Sequence, residues 1–197
     1  MKHTIEIKCP EGYKPIYDED SGKVTIVPTN PLKAIETIED AINILNLCES
    51  TVSQEISTLK DISPSLSAKY QCDIINEALH KVCGVSVPDS LVEGVVYNPY
   101  IFFYLEGKVP KDRKKDIVGA FSHKGKKYLL VCFSACLGSA AGLGDFDSGH
   151  AVGDAAADVG FLPCATREIA EYFSKNFAKL YFNALYGYNV DYYFLLI

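Results

Sequence analysis

The sequence lacks tryptophan entirely, and its one methionine is residue 1. It also lacks an apolar run long enough to span a bilayer, and residues 1–12 lack the apolar stretch of a secretory signal. We therefore expect no membrane insertion and a protein that is made in the cytoplasm. The 197 residues contain no internal repeat, and their number suffices for one substantial core or for a domain with a smaller subdomain.

Several motifs of metal and nucleotide chemistry are absent as well. The seven cysteines include no CxxC pair, which argues against a zinc ribbon, and their odd number suits reduced thiols. The glycine-rich run GSAAGLG at 138–144 lacks the Lys-Ser/Thr of a phosphate-binding P-loop. The net charge of −6 argues against general nucleic-acid binding. We therefore expect no cofactor and no nucleic-acid partner.

Periodic apolar residues predict two strands and three helices in the first half of the chain. The strands are expected at 4–8 (TIEIK) and 23–27 (KVTIV), joined through a turn, and the helices within 32–83. Ser50 or Thr51 is expected to cap the second helix. The apolar stripes of the three helices are Ile35, Ile38, Ile42 and Leu45; Val52, Ile56 and Leu59; and Leu66, Tyr70, Ile74 and Leu79. The polar residues interpreted as solvated faces or ends are Asp61, Asp73, Glu77 and His80.

Strand patterns dominate after residue 95. The runs 100–105 (YIFFYL) and 127–134 (KYLLVCFS) predict buried strands, the second of them central in its sheet, with a hairpin turn around Gly125. Thr166 is expected to cap a helix that Gly187 ends. The final run 190–197 (VDYYFLLI) predicts a strand that is paired inside a sheet, because an exposed apolar strand would aggregate.

The most unusual stretch of the chain runs from Cys132 to Cys164. It holds six of the 14 glycines, four aspartates and one of the four histidines, separated mostly by alanine and serine. A loop-like stretch of this length inside a compact domain is uncommon and is usually functional. Its small residues can pack little core, so we interpret it as a surface for binding.

An enzyme is the main alternative. Cys136 or Cys132, together with His150, supplies the residue types of a nucleophilic pair in which an imidazole activates a thiolate. No recognised catalytic signature surrounds either cysteine, and cysteines that follow a buried strand are commonly small core residues. A small hydrolase that uses Cys136 and His150 is therefore the second hypothesis.

Two ionic sites are further alternatives. The run DFDSG at 145–149 is similar to the start of a calcium loop but is not followed by the closing Glu, which leaves only a looser site with Asp154 or Asp158. Eight of the 19 basic residues lie within 108–127. They offer a phosphate-contacting patch or the contact surface of a structural virion or assembly subunit.

Residues at both ends of the glycine-rich stretch carry a resemblance to a known family. They are Gly138, Ser139, Ala141, Gly142, Val159, Gly160 and Phe161. Their pattern resembles the variable region of proteins diversified by retroelements (diversity-generating retroelement target proteins), in which residues between such fixed positions are randomised. The resemblance implies a C-type-lectin-like fold related to formylglycine-generating enzymes. The chain differs from that family in lacking a tryptophan-rich core and in continuing through 166–197.

The resemblance also implies which residues contact a ligand. The replaceable positions would be Ala140, Asp145, Asp147, Gly149, His150, Asp154, Ala156, Ala157 and Asp158. The start of the chain and the helix after Thr166 are in addition similar to uncharacterised proteins of gut-bacterial phages and mobile elements. That similarity implies a setting, namely a phage virion or a cell surface.

We therefore predict an α+β protein whose C-terminal half forms a C-type-lectin-like antiparallel sheet with flanking helices. Residues 1–94 would form an accessory or assembly region of strands (4–27) and helices (32–83), and residues 95–197 a ligand-binding domain with its display segment at 138–161. The predicted function is non-enzymatic recognition of a protein or glycan ligand through residues 140–158. Homo-oligomerisation is left open.

Overall fold

The computed structural model describes residues 8–18, 21–88, 96–123, 125–137, 155–159, 162–187 and 192–193. It confirms the α+β class: within these residues, five α-helices accompany one two-stranded and one five-stranded antiparallel sheet. No helix in the described part of the chain is both long and apolar enough to cross a membrane.

A hairpin of two strands opens the described part of the chain. β1 (Tyr13–Asp18) pairs antiparallel with β2 (Lys23–Pro28), which confirms the second predicted strand. Its partner among the described residues is β1, whereas residues 4–7 of the predicted strand 4–8 lie outside the described residues and that strand stays a prediction. Sequence reasoning assigned 13–18 to the connection because Pro15 interrupts it. Pro15 is nevertheless tolerated, since a proline at a position that points away from the neighbouring strand loses no ladder hydrogen bond.

Three helices follow, close to the predicted stripes. After a 3-10 turn (Pro31–Ala34), the chain forms α1 (Ile38–Leu45), α2 (Glu49–Ile62) and α3 (Pro64–Val82). The N-cap of α2 is Cys48 rather than Ser50 or Thr51. α3 begins on Pro64, which suits the first helical position because its missing N–H is not needed there.

The five-stranded sheet has the order β6-β3-β5-β4-β7. Its strands are β3 (Val96–Leu105), β4 (Ile117–His123), β5 (Lys126–Leu137), β6 (Ala155–Val159) and β7 (Tyr192–Tyr193). The predicted central strand is confirmed as β5, which lies between β3 and β4. The turn between β4 and β5 contains Gly125 at a φ of 73°, a left-handed conformation that glycine adopts without steric cost.

Two helices complete the fold after the sheet. α4 (Arg167–Asn176) is capped by Thr166, whose side chain accepts a hydrogen bond from the Ile169 N–H at 3.3 Å, as predicted. The expected single helix is broken at Phe177, and α5 (Ala178–Tyr186) continues as far as Gly187. Phe177 leaves the helical conformation with its side chain buried, so the break keeps the apolar stripe on the core.

One hydrophobic core includes residues from both halves of the chain. Leu79 of α3, Leu130 of β5 and Phe182 of α5 are all buried within it. The Tyr172 hydroxyl in α4 donates to the Ile35 carbonyl at 3.0 Å, which adds a polar contact between the halves. The predicted domain boundary at 94/95 lies within residues 89–95, outside the described residues, and stays a prediction.

Candidate functional site

Three of the nine predicted ligand-contacting residues lie within the described part of the chain. Ala156, Ala157 and Asp158 belong to β6, whose main chain pairs antiparallel with the middle of β3. β6 is an end strand in the order of the five-stranded sheet. The other six lie outside the described residues: Ala140, Asp145, Asp147, Gly149, His150 and Asp154.

β5 ends just before the display segment and β6 lies inside it, and both strands flank β3. β5 ends at Leu137, opposite Val96, whereas β6 begins at Ala155, opposite Tyr104. Because both strands run antiparallel to β3, they run parallel to each other. The chain therefore leaves the sheet at one end of β3 and re-enters it at the other end, about 26 Å away at the usual rise per residue in a strand. Both attachment points belong to one hydrogen-bonded sheet.

The chain that follows β6 is anchored by main-chain and side-chain hydrogen bonds. The Cys164 N–H donates to the Tyr97 carbonyl at 2.7 Å, and the Tyr97 N–H donates back to the Cys164 carbonyl at 3.0 Å. The Asn76 side-chain amide in α3 donates to the Pro163 carbonyl at 3.0 Å. Asn76 is buried, so its bond fixes the segment to α3 at a point that water does not reach.

His80 provides the second bond from α3 to this segment. Its Nδ1 lies 2.7 Å from the Asn76 carbonyl, and its Nε2 accepts a hydrogen bond from the Ala165 N–H at 2.9 Å. A carbonyl can only accept and an N–H can only donate, so Nδ1 carries the proton and the ring is neutral. Burial lowers the pKa of His80. With both nitrogens engaged, His80 holds structure and is not a general base.

This position of His80 corrects the interpretation that His80 belongs to a solvated face or helix end. His80 is 1% exposed, whereas Asp73 and Glu77 are exposed as predicted. The signal that could have identified the anchor is the pair Asn76 and His80, four residues apart and surrounded by apolar residues of the same helix.

A groove of about 710 Å³ lies beside the anchor. Although Asp73 is exposed, partial desolvation in the groove raises the pKa of its carboxyl, and the neighbouring Lys69 partly opposes that rise. The polar residues along α3 in this groove are Asp73, Asn76, Glu77, His80 and Lys81, and the apolar ones around it are Leu45, Val85, Val87 and Pro163. Such a lining, which also includes the Ser86 hydroxyl, can hold a small ligand with polar and apolar parts.

The thiols of the described cysteines differ in pKa. Burial raises the pKa of the Cys164 thiol to about 12 and raises that of Cys72 as well. Hydrogen bonds from Ser50, then Thr51, lower the pKa of the exposed Cys48 thiol to about 7. Cys48 is therefore the described thiol most ready to react, although no catalytic base accompanies it in the described residues.

The predicted Cys–His pair lies largely outside what the structure describes. The main chain of Cys136 is in β5 opposite Tyr97, and that of Cys132 is opposite Ile101. His150 lies outside the described residues. The hydrolase hypothesis therefore stays a prediction. Among the described residues, no group of three or more His, Cys, Asp or Glu side chains is placed to hold a metal ion.

The basic segment 108–127 has acidic partners within the chain. A 3-10 helix (Lys111–Asp116) places Arg113 between Asp112 at 3.7 Å and Asp116 at 3.9 Å. Lys127 pairs with Glu106 at 2.6 Å. These partners reduce the positive charge available to a phosphate.

No family model matches this chain, and comparisons with curated proteins and with solved structures find no significant similarity. Its function is therefore proposed from its own residues.

Proposed function

We propose that this protein recognises a ligand or receptor, without catalysis, through residues 138–161. The observation that carries the proposal is that β5, which ends just before this stretch, and β6, which lies near its C-terminal end, belong to one sheet. β5 and β6 both pair with β3, and the Cys164–Tyr97 and Asn76–Pro163 bonds hold the chain beyond it. A segment held in this way can change its exposed side chains without loss of the core.

The proposal extends to the origin and setting of the segment. We propose that it is a variable region of the retroelement-diversified kind, on a C-type-lectin-like sheet, assembled into a phage virion such as a tail tip or displayed at a cell surface. The partner would be a protein or glycan. Four aspartates among small residues suit a polar or basic surface on that partner. Because small side chains bury little area, each site should bind weakly and gain from multivalency.

Combined replacement of Asp145, Asp147, Asp154 and Asp158 by asparagine tests the display role. We expect the melting temperature to change little, because the proposal places these side chains outside the core. The matched control is Asn76→Ala, which removes the bond to Pro163 and should destabilise the protein by about 1–3 kcal/mol. A collapse of the fold in the fourfold variant would contradict the proposal.

Binding assays separate the proposal from its alternatives. On an array of bacterial glycans and surface proteins, the fourfold variant should lose the partner that the wild-type chain retains. Cys136→Ala should keep binding intact, whereas a Cys–His hydrolase would lose its activity. Charge reversal at Lys114 and Lys115 should also leave binding intact, whereas it would disrupt a subunit that assembles through 108–127.

A further inference from the structure

The β1–β2 hairpin carries an apolar face that is open to solvent. Its register places Tyr17 opposite Val24 and Pro15 opposite Ile26, and paired residues of this kind project to the same side of a sheet. Tyr17 is 62% exposed, and Val24 and Ile26 are each 43% exposed. The residues on this face are Tyr13, Pro15, Tyr17, Val24, Ile26 and Pro28. None carries a charge, and contiguous exposed apolar surface of this kind marks an interaction site.

The two edges of the hairpin can be assigned from its hydrogen bonds. The Thr29 N–H donates to the Gly12 carbonyl at 2.8 Å, so this pair is hydrogen-bonded. Hydrogen-bonded and non-hydrogen-bonded pairs alternate along an antiparallel ladder. The main-chain groups of residues 13, 15 and 17 in β1, and of 24, 26 and 28 in β2, consequently point away from the partner strand.

The β1 edge is closed to further pairing. Pro15 has no N–H at the centre of that edge, and the Tyr13 N–H already donates to the Pro10 carbonyl at 3.1 Å. Prolines on an edge strand are a known protection against strand addition. This edge therefore offers only the Tyr17 N–H as a regular donor.

The β2 edge has no such protection at its centre. Val24 and Ile26 each direct an N–H and a carbonyl outward, and no proline or charged residue separates them. Those outward groups have no partner among the described residues. The single residue between them, Thr25, is β-branched and favours an extended conformation.

We propose that β2 pairs with β2 of a second copy of this chain, around a two-fold axis at Thr25. In this antiparallel register Val24 lies opposite Ile26 of the second copy, and Ile26 lies opposite its Val24. Every outward N–H of these residues then meets an outward carbonyl, which forms four main-chain hydrogen bonds. The result is a four-stranded sheet in the order β1-β2-β2-β1, with both apolar faces on the same side.

Self-complementarity favours a second copy over a different partner. In the paired sheet, Tyr17, Val24 and the second copy's Ile26 and Pro15 form one continuous apolar row. The face has no charge with which to select a charged partner. Edge pairing joins the two main chains and leaves the apolar faces uncovered, so each copy buries much less than the roughly 800 Å² of a standard interface. The dimer should therefore be weak and depend on concentration.

Cysteine cross-linking tests the axis directly. Thr25 would face Thr25 of the second copy in a non-hydrogen-bonded pair, whose Cα atoms lie about 4.5 Å apart, within reach of a disulfide. In a chain with Cys9 and Cys48 replaced by serine, Thr25→Cys should form a covalent dimer on mild oxidation. The matched control is Ile16→Cys, which lies opposite Thr25 in β1 but away from the axis. Equal dimer yields from the two variants would overturn the proposal.

Removal of one outward N–H tests whether the β2 edge forms the dimer. Ile26→Pro deletes an outward N–H at a position opposite Pro15, so the hairpin loses none of its own hydrogen bonds. In sedimentation over a concentration series, we expect Ile26→Pro to lose the dimer and Ile26→Val to keep it, with circular dichroism showing that both remain folded. The proposal would be overturned by a wild-type chain that stays monomeric at every concentration, or that binds phosphatidylcholine vesicles through this face instead. An unchanged dimer in Ile26→Pro would also overturn it.

Discussion

His80 links helix α3 to the segment that follows β6, and the link requires a neutral ring. Its pKa is lowered by burial, so the unfolded chain binds a proton at a higher pH than the folded chain does. The His80 contribution to stability is therefore fully present above the unfolded pKa of about 6.5. It is lost as the pH falls toward the lower pKa of the folded state.

We expect the free energy of unfolding to fall between about pH 7.5 and pH 5.5, with a His80 contribution of up to about 1.4 kcal/mol per pH unit. Urea denaturation at a series of pH values measures this slope. His80→Leu should reduce the slope and also destabilise the protein at high pH, because the Ala165 N–H loses its acceptor. An unchanged slope in the variant would show that another group titrates.

Cys48 should be the first described cysteine to be alkylated. With a pKa of about 7 it is roughly half thiolate at neutral pH, whereas Cys164, at about 12, is protonated and buried. Iodoacetamide labelling followed by peptide mass spectrometry gives the order of reaction. Ser50→Ala should slow the labelling of Cys48, because the Ser50 hydrogen bond is the largest cause of the lowered pKa. Labelling of Cys164 as fast as Cys48 would contradict this order.

At the scale of elements, the helix starts differ in how they are capped. Thr37 and Asp40 form a reciprocal capping box at α1, with the Asp40 N–H donating to Thr37 Oγ1 at 3.2 Å and the Thr37 N–H to Asp40 Oδ2 at 2.9 Å. Cys48 occupies the same position at α2 without a side-chain capping bond. The N-cap side chain should therefore contribute more to the stability of α1 than to that of α2.

Thr37→Ala should destabilise the protein by about 1 kcal/mol, the usual cost of a lost N-cap. Cys48→Ala is the matched control and should cost less, because Cys48 makes no side-chain capping bond and loses only its exposed hydrogen bonds with Ser50 and Thr51. Both are measured by chemical denaturation. Equal losses in the two variants would show that the Thr37–Asp40 bonds do not stabilise α1.

Elements that depend on local sequence could be predicted, and those that depend on partners could not. Neighbouring residues in each stripe of α1, α2 and α3 are three to five positions apart, and Thr166 lies three positions before Ile169, so the sequence displays these features directly. The sequence does not predict β1, because whether Pro15 costs a ladder hydrogen bond depends on which edge of the strand faces the partner. The break at Phe177 was missed because its cause is the buried position of that ring.

At the scale of the whole molecule, the shared core predicts cooperative unfolding. Leu79 is fully buried in a cluster that joins α1, α3, α4, α5 and the sheet. Loss of packing at such a site is transmitted to every element that touches the cluster, because protein interiors are close-packed.

Leu79→Ala should lower the free energy of unfolding by about 2–5 kcal/mol. The far-ultraviolet signal of the helices and the tyrosine fluorescence should shift together in one transition. Ile62→Ala, at a position 70% exposed, should change stability by less than about 0.5 kcal/mol. Two separate transitions, with only one affected by Leu79→Ala, would show that residues 1–94 and 95–197 unfold as independent domains.

The sequence by itself determined the α+β class, the three N-terminal helices, the cap at Thr166 and the central place of β5, because these follow from local periodicity and turn residues. Only the tertiary structure decided that Asn76 and His80 are buried anchors, that β5 and β6 flank β3, and that the outer edge of β2 has no partner strand among the described residues. Those features arise between residues far apart in the chain. Their stability depends on which residues come into contact in the folded chain, and a short sequence pattern does not contain that information.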